Sequence, residues 1–386
     1  MPFSRYMDLC LYDPAEGYYS RNANQFGKAG DFFTSSDVHA VFGRLLARQF
    51  EEMWQALNCP PRLEILELGP GRGLFARDVL DWSQKKFPDF FVALTYTLQE
   101  LSPALRAKLM ENLERQIADG KAALSNEPSN RKERSSPDER SNSPEEGSNF
   151  VRRSTPSETP IIFFANEFFD ALPVEILSAQ GKLHLAIDGD HLAEIWLPPT
   201  AEELAYLDRY SVDPEPGERI EVSLAAQHWI GQIAANLRQG FVVIIDYGYT
   251  RDDQLRGRHH GTLMAYRQHS TSPNPYEAPG EQDLTAHVNF AALSAAFQQA
   301  GMTTQKLVTQ SQFLMGIGEC NQFGDAFEEC RVAQERAKVA LQLKHLISPE
   351  GMGETFRVLI ASNGVQEATL QGLSGLRFAA GIRETG

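Results

Sequence analysis

Cysteine is scarce in this chain. Cys10, Cys59, Cys320 and Cys330 are scattered through 386 residues without CxxC spacing or Cys/His pairing. That argues against a disulfide framework and against a zinc finger or ribbon, and reduced thiols are the default. Basic residues are also in deficit, with 36 Lys and Arg against 51 Asp and Glu and a net charge of −15. Phosphate neutralisation needs a cationic surface, so nucleic acid is not expected as the main partner. A cationic partner suits this balance better. No apolar run approaches the roughly 20 residues needed to span a bilayer. No signal or Arg-rich transit segment opens the sequence, which points to a cytoplasmic protein of bacterial type.

What is present is an alternation of strand and helix patterns. Val38, Val41, Phe42, Leu45, Leu46, Phe50, Met53, Trp54 and Leu57 recur at helical spacing after the capping residue Asp37, and Asn58-Cys59-Pro60-Pro61 stops them. Strands are expected at 63–68, 90–99, 161–165, 241–245, 262–266, 304–309 and 356–362. Helices are expected near 72–84, from Pro103, at 223–238, at 289–299 and at about 325–347. The pattern predicts a doubly wound, mostly parallel α/β fold of Rossmann-like type. Residues 1–58 read as an N-terminal cap segment and helix, and 59–386 as the main domain. From about 125 to 160 the composition collapses into Ser, Pro, Glu, Arg and Asn, a stretch that cannot bury enough apolar area to order itself. Residues 250–288 form a second long insertion, expected on the substrate side.

The most informative run is Glu67-Leu68-Gly69-Pro70-Gly71-Arg72-Gly73. An apolar strand ends at an acid and turns into glycines, where the backbone can approach a ligand closely. The third glycine arrives too early for the dinucleotide fingerprint. Glu100 closes the next strand, about 30 residues on, where a carboxylate can accept both hydroxyls of an adenosine ribose. The glycines with that acid resemble the first two motifs of class I S-adenosylmethionine-dependent methyltransferases. A second constellation, Asn166-Glu167-Phe168-Phe169-Asp170, follows the buried strand 161–165. In the methyltransferase fold that position faces the reactive methyl. Carboxylates such as Glu167 and Asp170 can hold a guanidinium by paired hydrogen bonds and localise its charge on the far nitrogen. Asp246 and Tyr247 end the next strand on the same edge of the sheet, and His287 is a candidate base near neutral pH. These three are substrate-side candidates.

Further motifs carry a closer resemblance: Met7 to Pro14 with Gly17-Tyr18-Tyr19-Ser20, Gly30-Asp31-Phe32-Phe33-Thr34-Ser35, Asp246-Tyr247-Gly248-Tyr249, Asp283 to Val288, and Met352-Gly353-Glu354. Together with the glycine turn and the Asn166 segment they resemble the MidA family, which includes the mitochondrial complex I assembly methyltransferase. The resemblance spans nearly the whole chain apart from the low-complexity insertion. It implies S-adenosyl-L-methionine held at Glu67, Gly69, Gly71, Gly73 and Glu100, with Gly30, Asp31 and Thr34 in a segment that covers it. It also implies methylation of an accessible arginine on a protein substrate, related to respiratory complex I in the family, with Asn166, Glu167 and Asp170 as the catalytic group. A small-molecule N- or O-methyltransferase and a non-catalytic cofactor-binding assembly factor remain open as alternatives.

Overall fold

A computed structural model describes residues 1–21, 40–125, 158–189, 191–253, 260–267, 270–272 and 274–379. Gly30, Asp31, Thr34, the Asp37 cap and almost all of the 125–160 insertion lie outside the described residues.

The chain opens with two helices, α1 (Phe3–Tyr12) and α2 (Tyr18–Arg21), before the long helix α3 (Ala40–Ala56). The first β-α units follow as β1 (Leu63–Leu68), α4 (Leu74–Lys86), α5 (Pro88–Ala93), β2 (Leu94–Gln99), α6 (Pro103–Asn112), β3 (Ala122–Leu124) and β4 (Ile161–Asn166). A four-stranded antiparallel sheet is inserted next. It comprises β5 (Glu175–Ser178), β6 (Gly181–Asp188), β7 (His191–Leu197) and β8 (Ile220–Val222), with α7 (Ala201–Tyr210) between the last two. The main sheet resumes with α8 (Leu224–Asn236) and β9 (Gly240–Tyr249). The small sheet of β10 (Met264–Arg267), β11 (Ser270–Ser272) and β12 (Asp283–Thr285) fills the 250–288 insertion. The chain closes with β13 (Val288–Asn289), α9 (Phe290–Gln299), β14 (Thr303–Thr304), β15 (Val308–Thr309), α10 (Gln310–Glu319), α11 (Ala333–Ile347) and β16 (Phe356–Asn363).

The main sheet runs β14-β16-β9-β4-β1-β2-β3, and β16 is antiparallel to β9. Strand order reverses between β1 and β4, so their carboxyl ends open a crevice at the switch point, the place where such sheets bind ligands. β1, β4 and β9 are buried on both faces because helices cover both. One apolar cluster gathers Phe42, Phe50, Phe75 and Phe164, and the other gathers Phe163, Trp229, Ile230 and Phe290.

α3 packs against α4 inside the first of these clusters. α1 instead joins the insert sheets through Phe3, Met7 and Leu11 against Ile176, Leu183 and Leu284. The expected N-terminal cap therefore divides into two parts with different partners.

Three expectations are corrected. The strand drawn from Phe90 begins at Leu94, because Pro88 starts a short helix that turns Phe90 against Trp54. The helix drawn over 325–347 is two pieces, a single turn at Gly324–Phe327 and α11. A separate helix, α10, precedes it, started by a capping box of Thr309 and Gln312 that carries no acidic signature. The single strand drawn over 304–309 is two short pieces, β14 and β15, on either side of an interruption.

Candidate active site

The glycines after β1 do three different jobs. All three have left-handed φ: 63° at Gly69, 54° at Gly71 and 72° at Gly73. A Cβ at Gly73 would lie 2.9 Å from Leu113 Cδ1 and 3.1 Å from Leu109 Cγ, so this glycine lets the turn pack on the α6 region. A Cβ at Gly69 would touch the Phe168 ring at 3.0 Å. At Gly71 a Cβ would meet nothing within 4 Å among the described residues, so of the three glycines this is the one whose backbone they leave uncovered.

Two carboxyls are drawn in beneath that turn. Glu100 Oε2 accepts from Gly71 N–H at 3.2 Å and Oε1 from Ser102 N–H at 2.9 Å. Burial pushes Glu100 up to about 7, against the pull of those backbone donors. Glu67 is only 4% exposed, accepts from Tyr96 O–H at 2.9 Å, and is pushed by burial up to about 8. S-adenosylmethionine, with its cationic ammonium and sulfonium, fits this arrangement. A ligand can reach the Gly71 backbone, Glu100 is tied to that same turn, and positive charge is what two poorly ionised buried carboxyls lack.

These shifts set a pH dependence. Both groups bind more protons in the folded state than in the unfolded state, where carboxyls titrate near 4.5. Stability therefore falls as pH rises through the window from about 4.5 to 8. We expect the melting temperature of the cofactor-free protein to decline from pH 5 to pH 8.5. Glu67→Gln should flatten the part of that decline above pH 7. A thermal-shift series across this range, showing a profile that rises with pH, would refute the assignment.

The segment after β4 is held in an unusual shape. Glu167 has φ of 51°, a conformation that costs a non-glycine residue about 1 kcal/mol or more. Its N–H donates to Ile245 O at 3.0 Å, and Asn166 Nδ2 donates to Glu167 Oε1 at 3.1 Å. The clamp is Asp246, which is fully buried. Its Oδ2 accepts from the N–H groups of Phe168, Phe169 and Asp170 at 3.2, 3.0 and 3.3 Å, while Oδ1 accepts from Tyr247 N–H at 2.9 Å. Burial, and then the negative charges of Asp170 and Glu167, raise its pKa. Expected on the substrate side, Asp246 is placed instead to hold the turn that carries Glu167 and Asp170.

Asp170 lies at the centre. It is 3% exposed, and Oδ2 accepts from the Tyr247 hydroxyl. Its main-chain O accepts from Ala286 N–H at 2.9 Å. Oδ1 is buried with no hydrogen-bond partner among the described residues. Burial raises its pKa to about 6. Tyr247 touches the His287 ring edge-on, with centroids 5.1 Å apart, and His287 N–H donates to Thr262 Oγ1 at 3.0 Å. His287 is thus brought next to the Tyr247–Asp170 pair by its ring.

Tyr12, Tyr19 and Asp283 lie inside the sequence motifs but are not among the expected site residues. The structure brings all three to this place. Tyr12 O–H donates to Ala171 O at 2.9 Å, Tyr19 O–H donates to Asp283 Oδ1 at 2.8 Å, and the two rings lie 5.5 Å apart. Tyr19 O in turn accepts from Ser102 Oγ at 2.6 Å, next to Glu100. Burial, and then the charges of Asp283, Asp170, Asp8 and Glu100, push the Tyr12 phenol far above its usual range, so it remains a donor.

Comparison with known proteins agrees with this geometry. The sequence profile of a family described as S-adenosyl-L-methionine-dependent methyltransferase (Methyltransf_28) matches residues 45–308. The mitochondrial protein arginine methyltransferase NDUFAF7 homolog of Drosophila melanogaster is 30% identical over 75% of this chain, which spans 65% of that relative's length. NDUFAF7 of Danio rerio is 27% identical over 93% of the chain and 83% of the relative. Among solved structures, a COG1565 superfamily member from Burkholderia thailandensis bound to S-adenosyl-homocysteine superposes with a TM-score of 0.77. It is 28% identical and covers 97% of this chain and 90% of its own. The glycine turn, the acid beneath it and these matches together make the chain a member of the MidA family of S-adenosylmethionine-dependent methyltransferases.

Proposed function

We propose that this enzyme methylates a guanidinium nitrogen of an arginine carried by a protein. The observation that carries the reading is Asp170 Oδ1, a buried acceptor with no hydrogen-bond partner among the described residues, on a carboxyl whose charge acts on Asp246 together with Glu167 and on Tyr12 together with Asp283. A site with several carboxylates and tyrosine hydroxyls, and no buried cation described among them, selects a planar cation with several N–H donors. The relatives named above as protein arginine methyltransferases support the same substrate class.

When bound, S-adenosylmethionine supplies an electrophilic methyl group on a sulfonium. The chain's own groups then have three tasks. Gly71 N–H and Glu100 fix the cofactor edge of the crevice. Glu167 and Asp170 hold the guanidinium in line with the methyl and keep its positive charge on the nitrogens that are not attacked. The attacked nitrogen must shed a proton. In this reading Asp170 Oδ1, on a carboxyl raised to about 6, receives it, while Tyr247 O–H donates to the other oxygen. Tyr12 and Tyr19 wall the crevice from the N-terminal side.

The test is incubation with isotopically labelled S-adenosylmethionine and cell lysate, followed by mass spectrometry of the labelled products. We expect the label on arginine side chains of protein, with Glu167→Gln reducing it by about tenfold or more. Equal labelling by wild type and Glu167→Gln sinks the assigned role of Glu167. Label found only in small molecules sinks the protein substrate.

A further inference from the structure

Past the carboxyl end of β9 a second cavity opens, about 260 Å³ in volume, lined by Thr250, Asp253, Lys306, Leu307, Arg357 and Phe378 among others. In a chain of net charge −15 its cationic side chains are a local exception. The Arg357 side chain is 25% exposed, its Nε is buried with no hydrogen-bond partner among the described residues, and Nη2 lies 3.9 Å from Asp253 Oδ2. A guanidinium offers five donors in a rigid fork, and one long contact leaves most of that capacity unused. Lys306 stands exposed beside it and has no carboxylate partner among the described residues. Among the described lining residues, Asp253, which accepts from Thr250 Oγ1 at 3.1 Å, is the one carboxylate against two cations.

Lys306 stands at a break in the sheet. Thr304 pairs with Ala361 and Val308 with Val358, four steps on one strand against three on the other. Residues 305–307 lie outside both strands, and Lys306 sits in that interruption, at the edge of the cleft. Position matters as well. Arg357 follows Phe356, whose ring lies 5.5 Å from that of Tyr247, the tyrosine that grips Asp170. The cleft and the acidic crevice therefore share the carboxyl edge of β9. The cavity is also smaller than the about 300–1,000 Å³ of pockets that enclose small ligands, and suits one acidic side chain.

We propose that this cleft is a docking subsite for a glutamate or aspartate of the protein substrate, read by Arg357 and Lys306 while the target arginine enters the acidic crevice. This rests on the protein-arginine reading above. Bidentate pairing of a carboxylate with Arg357 would complete the under-used fork, and Lys306 would add a point charge at the rim. The substrate would be recognised as a pair of opposite charges at a fixed separation, which also fixes the direction in which it lies.

The probe is a set of 15-residue peptides with one central arginine and a single glutamate moved through every other position, each matched by a glutamine control. In wild type we expect one or two registers in which glutamate lowers KM about tenfold relative to glutamine. Arg357→Gln and Lys306→Glu should each erase that ratio, and Lys306→Glu should favour a lysine-scanned peptide in the same register. Because the ratio compares two peptides on one enzyme, general loss of folding does not mimic it. Methylation without a glutamate preference in any register, or a preference that survives both substitutions, overturns the subsite. Fluorescence anisotropy of the same peptides, with S-adenosylhomocysteine present, separates the two claims. Register-dependent glutamate binding without methylation overturns the arginine reading and keeps the subsite. Absence of peptide binding in every register overturns the subsite itself.

Discussion

Gly71→Val is expected to remove S-adenosylmethionine binding and to leave the sheet folded. The reason is the difference among three neighbouring glycines. A Cβ at residue 71 meets no atom of the described residues within 4 Å, so no described core contact is disturbed; what it enters is the space into which the backbone presents itself. The left-handed φ of 54° adds about 1–2 kcal/mol of local strain for a β-branched residue, which the domain can absorb. Titration calorimetry with S-adenosylhomocysteine should show an affinity loss of about 100-fold or more, that is about 2.7 kcal/mol or more. Gly73→Val is the control with the opposite pattern. Its side chain would collide with Leu113 and Leu109, so stability falls because packing is lost. Unchanged affinity in Gly71→Val would mean that the ligand does not approach this turn.

Asp246→Ala costs both stability and turnover, although the residue has no exposed surface. Its carboxylate accepts four backbone N–H groups, three of them from consecutive residues of the Glu167–Asp170 turn. Alanine leaves those donors buried without an acceptor, at about 1–3 kcal/mol for each that finds no replacement. One term opposes this: removing the charge relieves repulsion with Asp170 and Glu167. The donors outnumber that relief, and we expect a net loss of about 3 kcal/mol in urea denaturation. Activity should fall further than stability, by about 100-fold, because a misplacement of about 1 Å at the reacting groups has that effect. A variant within 0.5 kcal/mol of wild type and fully active would show that Asp246 is not the clamp.

The parallel sheet was legible because β4 and β9 open as unbroken apolar runs and β1 sets Leu63, Ile65, Leu66 and Leu68 around two glutamates, each ending in a turn or an acid. The glycine turn and Glu100 were legible for the same local reason. Asp246 was visible as a residue but its role was not. Which way a strand-end carboxylate points depends on the neighbouring turn, and the donors it serves lie 76 to 78 residues away. Tyr12 and Tyr19 were hidden similarly, since their partners Ala171 and Asp283 are 159 and 264 residues distant. The helix α10 was missed because its start signal, Thr309 with Gln312, lacks the charged first turn that usually marks one. Arg357 and Lys306 carried no signal at all. The break between β14 and β15 is defined by their pairing with β16 and has no pattern in the segment alone.

The N-terminal hairpin of helices has a bearing on where this enzyme can be cut. The segment recognisable by family profile, 45–308, omits Tyr12 and Tyr19 at one end and β16 at the other. A fragment trimmed to those limits would keep the glycine turn, Glu100, Glu167 and Asp170. It would lack the tyrosine wall that bridges Ser102 on the cofactor edge to Asp283 on the acidic edge. It would also lack the antiparallel strand that pairs with β9 along its length and carries Arg357. The smallest unit able to close over both reactants is therefore longer than the unit that defines the family.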